Sequence, residues 1–136
     1  MSKYAALNND VYSVFSSVGW KAENIPTVPN NFVGTGLGTE YIRVTVIPSS
    51  RQIANFLASV AGVLLIDIFI PAGSGALRAS QIADKLDSYL AGKTLKTGAA
   101  GSTQFSTSAL THLGADKDNF SLYRSQYTLP FNFFGV

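Results

Sequence analysis

The sequence predicts an α+β chain with a mostly antiparallel sheet of about four or five strands and two helices packed on one face. Two stretches with apolar residues at helical spacing, Lys3 to Val18 and Ala76 to Leu90, provide the helices. Alternating segments at Tyr41 to Ile47 and Val60 to Ile70, with a turn-joined pair near the end, provide the strands. The resulting order is helix, extended arm, two strands, helix, two strands. With 136 residues and no internal repeat, residues 1–136 are expected to form a single domain.

The elements follow in order. Tyr4, Leu7, Val11, Val14, Phe15 and Val18 recur at three and four residues and line one face of the first helix, which Gly19 is placed to stop. Trp20 to Pro29 reads as an extended arm, because Pro26 and Pro29 forbid helix and bias the residues before them toward extended geometry. Asn30 to Gly38 is a Gly- and Asn-rich loop. Tyr41 to Ile47 places Ile42, Val44 and Val46 on one wholly apolar face, as a half-buried strand requires, and Pro48 ends it. Val60 to Ile70 is apolar on both faces through its middle, the pattern of a central strand covered on both sides.

The second helix buries Ala79, Ile82, Ala83, Leu86, Tyr89 and Leu90 and turns Arg78, Gln81, Lys85 and Ser88 to water. Thr97 to Ser108, almost entirely Gly, Ala, Ser and Thr, reads as a flexible stretch. Phe105 to Leu113 and Phe120 to Phe133 read as two strands of a hairpin around Gly114 to Asn119.

Composition narrows the function. The absence of Cys rules out a disulfide framework and a thiolate metal site. A formal charge of +2 is too mild for a dedicated nucleic-acid binder. Charged residues are only 13% of the chain, about half the usual share, so copies repel one another weakly and assembly is favoured. The longest apolar run, Val60 to Ile70, is far short of the roughly 20 residues that span a bilayer, and the N-terminus lacks the apolar core of an export signal. No membrane partner is expected.

Reactive groups do not gather in the sequence. His112 is the only histidine and lies within an expected strand, with no nucleophile-elbow motif in the chain. Asp84 and Asp87 fit a solvated helix flank. One His, no Cys and scattered acids match no metal pattern, and Pro71 to Gly75 lacks the Lys-Ser/Thr ending of a phosphate loop. No catalytic residue, cofactor or metal is expected. Asp67 interrupts an apolar strand and, if buried, must be paired; Arg43 on the neighbouring strand is the expected partner. Two connections stand out as candidate interaction surfaces. Ser49 to Ser59 carries Arg51 and the apolar Ile53, Phe56 and Leu57, which suit either a surface awaiting a partner or packing on their own domain. Gly92 to Ser108 carries Lys93 and Lys96 without an acid.

The succession of motifs resembles a known family. Trp20-Lys21-Ala22-Glu23-Asn24-Ile25-Pro26, then Tyr41 to Pro48, then Leu65 to Gly75 with its Pro-x-Gly-x-Gly ending and the following helix, is similar to the tail terminator, or tail-completion, proteins of phages with long non-contractile tails. The resemblance implies a homo-oligomeric ring, commonly a hexamer. Such a ring caps the tail tube protein, stops its polymerisation and presents a surface to the head-tail connector protein. It also implies a place at the head-proximal end of the virion tail, assembly in the host cytoplasm, and DNA met only by passage through the pore. Closing a ring requires two different patches per subunit. Other readings are another neck ring protein of the virion, and a monomeric small-ligand-binding module with a polar-lined pocket.

Overall fold

A computed structural model describes residues 3–31, 38, 40–49, 59–116 and 121–135. The chain runs α1 (Lys3–Phe15), α2 (Val18–Ala22), β1 (Thr27–Pro29), β2 (Tyr41–Pro48), β3 (Val60–Pro71), α3 (Leu77–Tyr89), β4 (Thr94–Gly98), β5 (Gly101–Phe105), β6 (Ala109–Ala115) and β7 (Leu122–Gly135). The strands form one seven-stranded sheet in the order β1-β2-β3-β7-β5-β4, with β6 also paired to β7. Every pairing is antiparallel except β1 with β2.

Strand β7 organises the sheet. One edge pairs with β3 along the whole of β3, from Leu122 opposite Pro71 to Phe133 opposite Val60. Its other edge is shared in sequence by β6, opposite residues 123–128, and β5, opposite residues 131–135. Residues of alternate parity separate the two faces. Ile42 and Val44 of β2, Leu64, Ile66, Ile68 and Ile70 of β3, and Tyr127, Leu129, Phe131 and Phe133 of β7 join one apolar core. Leu7, Val11 and Val14 of α1 and Ala79, Ile82 and Leu86 of α3 close that core from above. Gly62 sits where a Cβ would collide with the Ile47 carbonyl and lie 2.7 Å from the Phe131 ring, so β2 and β3 approach closely only because no side chain is there. The turn into α3 places Gly73 and Gly75 at φ of +85° and +79°, a region costly to other residues.

Four expectations are corrected. The sheet has seven strands rather than four or five. The Gly/Ser/Thr-rich stretch is the β4–β5 hairpin, and Phe105 ends β5 rather than beginning the next strand. Its small residues form a ladder because α1 covers one side, where Thr103 and Phe105 are buried. Gly19 does not end a helix: α1 stops at Phe15 and Gly19 lies inside α2, a short helix added to the expected two. The Ser17 hydroxyl caps α2 by accepting from the Trp20 N–H. Consequently only Thr27–Pro29 of the expected arm is strand. Finally, β3 is central but, among the described residues, no helix covers its second face, where Val63 and Leu65 are only half-buried.

Trp20 ties α2 to the rest. Its ring meets Phe15 and Tyr89 edge-on, with centroids 5.3 and 5.4 Å apart, and its Nε1 donates to Thr27 Oγ1 at 2.9 Å. One aromatic thereby joins α1, α3 and the start of β1.

Candidate functional site

The sheet face left open by the helices carries the most organised polar group in the molecule. Asp67 of β3 is buried, and its two oxygens serve two arginines. Arg43 of β2 donates from Nε and Nη2 to Oδ2 at 3.3 and 3.1 Å. Arg124 of β7 donates from Nε and Nη2 to Oδ1 at 2.9 and 2.7 Å. Register explains the convergence: Arg43 lies directly opposite Asp67, and Arg124 lies opposite Phe69, two residues along on the same face. Arg43 also lies over the Phe69 ring, 5.2 Å from its centroid, and Phe69 stacks on Tyr41 at 4.6 Å. Two cations share one anion, so the cluster presents a net positive charge. Both guanidinium groups remain partly exposed. Arg124 was missed in the sequence because the β3–β7 register, which brings it to Asp67, is not written in either strand alone.

From this cluster the open face runs away in cross-strand rows: Arg43–Asp67–Gln126, then Thr45–Leu65–Thr128, then Ile47–Val63–Pro130. Apart from the cluster these rows are uncharged, and Ile47 is 46% exposed.

Other polar groups fasten elements together. Asp10, buried on α1, accepts from the Thr97 N–H at 2.9 Å, Thr97 Oγ1 at 2.6 Å and Thr103 Oγ1 at 2.7 Å, so it clamps α1 to the β4–β5 hairpin. Asp87 of α3 accepts from Tyr127 Oη and Ser108 Oγ, both at 2.6 Å. Burial pushes the Tyr127 phenol well above its usual range, and its hydrogen bond to Asp87 adds to this. Glu40 is held below the usual carboxylate range by its hydrogen bonds with Arg78, at 2.6 and 3.0 Å.

His112 Nδ1 lies 2.8 Å from Ser125 Oγ across the β6–β7 pair, a contact not anticipated from the sequence. Ser125 is buried and lies directly opposite the exposed His112 in the β6–β7 pair. Among the described residues no three His, Asp or Glu gather where a metal ion could be held. A shallow groove of about 450 Å³ is lined by Phe15, Trp20, Lys21, Asn24, Ile25, Pro26 and Thr27. On its wall Trp20 Nε1 donates to Thr27 Oγ1. Among the described residues no helix is long and apolar enough to cross a membrane.

Of the sequence-selected interface residues, Lys93 just before β4 and Lys96 within it are exposed and make no ion pair among the described residues. Arg51, Ile53, Phe56 and Leu57 lie outside the described residues.

No family model and no curated protein matches the chain. Solved structures do. A chain from the virion of a native gene transfer agent particle shares the fold with a TM-score of 0.65 and 16% identity, covering 98% of each chain. A second structure, of a protein carrying no functional name, gives a TM-score of 0.64 at 19% identity, over 96% of this chain and 92% of that one. The fold over nearly the full length is therefore one found in a phage-like particle.

Proposed function

We propose that the chain is a structural protein of a phage or phage-like virion, and within that class the tail terminator. In this reading it forms a homo-oligomeric ring, commonly a hexamer, that caps the tail tube at its head-proximal end and offers a joining surface to the connector. The carrying observation is the fold match to a virion chain over 98% of each chain. The succession of Trp20 to Pro26, Tyr41 to Pro48 and Leu65 to Gly75 supports the finer assignment by its resemblance to terminators. The distribution of polar groups agrees with it. Asp10, Asp87 and Asp67 each spend their oxygens on holding strands and helices together rather than facing a shared cavity. The protein acts through shape and association and carries no catalytic duty.

The test is assembly. The purified chain should form closed rings by native mass measurement and electron microscopy, bind the ends of tail tubes and halt their growth. Copurification with a portal-side adaptor and indifference to tubes would assign it to another ring of the neck. A permanently solitary chain that turns over a small metabolite would end the structural reading altogether.

A further inference from the structure

Helix α3 shows two opposite stripes. Ala79, Ile82, Ala83 and Leu86 face the core. Leu77, Gln81, Asp84 and Ser88, spaced four, three and four residues apart, form one exposed stripe on the other side. Leu77 is 71% exposed, unusual for a leucine, and Asp84 makes no ion pair among the described residues. This stripe and the open sheet face lie on opposite sides of the molecule, since α3 covers the other face of β3.

Chemically the two surfaces are complementary. The stripe offers an apolar group, an amide and an unpaired carboxylate in that order. The open face offers an apolar row (Ile47, Val63, Pro130), a row with two threonines (Thr45, Thr128) and a cluster with one positive charge in excess (Arg43, Asp67, Arg124), also in that order. Spacings agree as well. Leu77 to Asp84 spans about 10 Å of helix axis, and the rows of Ile47 and Arg43 lie four residues, about 13 Å, apart along the strand. The arginines are held in place by a buried carboxylate, so little side-chain freedom is lost when a further anion arrives.

We infer that the open sheet face is the docking site for α3 of a second copy of this chain, with Leu77 on the Ile47–Val63–Pro130 row and Asp84 completing the Arg43–Asp67–Arg124 cluster. The contact is heterologous, because each copy uses a different surface at each side, and heterologous contacts close into rings when the rotation permits. The inference rests on the self-association reading above and specifies which surfaces meet.

Because the natural chain has no cysteine, a short bismaleimide tests the contact directly. Leu77→Cys and Ile47→Cys, both at exposed positions, should cross-link to each other when the two variants are mixed, and neither should cross-link efficiently alone. The double variant should give a ladder of covalent oligomers ending at the ring size. Asp84→Lys should weaken self-association by about tenfold or more in sedimentation while leaving circular dichroism unchanged. Rings that form normally with Asp84→Lys and show no mixed cross-link would overturn the docking while leaving self-association intact. A chain that stays monomeric throughout would overturn both.

Discussion

Replacing Asp67 with Asn preserves the side-chain shape but removes the charge that two arginines share. Because both guanidinium groups can turn partly to water, the cost should be about 1 to 3 kcal/mol rather than that of a wholly buried broken pair. Urea denaturation measures it, and a change near zero would show that the cluster holds nothing together. Two residues also give opposite pH dependences. Glu40 is held below its ordinary value of 4.5, so its contribution is present above that value and is lost as pH falls through the lowered one. Glu40→Gln should flatten the acid limb of the stability curve by a few tenths of a kcal/mol to about 1. Tyr127 is raised above 10.0, so it contributes fully below that pH and its stabilisation is lost as alkalinity rises from there. Tyr127→Phe should cost about 1 kcal/mol at neutral pH and soften the alkaline fall. In spectrophotometric titration of the native protein the last phenol to ionise should be that of Tyr127, and that final step should vanish in the variant.

Among elements, the attachment of α1 to the β4–β5 hairpin depends on one side chain. Asp10→Ala strands the Thr97 N–H and two hydroxyl groups, at an expected cost of about 2 to 4 kcal/mol. Hydrogen exchange should quicken in Thr94–Phe105 before the rest of the sheet. Periodicity made α1, β2, β3 and α3 legible in the sequence to within a residue or two at most ends, since each has one clearly apolar face. It failed for β4 and β5, where residues such as Gly101, Ser102 and Thr103 have little apolar contrast. These form strands because Asp10 and the underside of α1 organise them. It failed again at α2, where the cap from Ser17 and the packing of Trp20 outweigh the helix-stopping character of Gly19. The positions that look flexible in composition are thus made regular by contacts distant in sequence.

For the molecule as a whole, low charge and an unpaired face point the same way, toward burial in an assembly. Under the proposed tail-terminator function, Lys93→Glu combined with Lys96→Glu, both exposed, should leave folding unchanged and weaken docking onto tail tubes, read by pelleting with tubes at two salt concentrations. Equal pelleting would remove β4 from the contact. The assembly surfaces were only partly visible in the sequence. An arginine beside Asp67 could be anticipated from strand alternation, whereas Arg124 and the rows across the open face depend on a β3–β7 register that no local pattern encodes.

Strand β7 follows β3, β5 and β6 in the chain, yet it is the piece to which all three are bonded. The β1-β2-β3 and β4-β5 groups and the lone β6 thus all precede in sequence the strand that joins them. The cluster and the rows beside it are therefore completed by β7, which follows β2 and β3 in the chain.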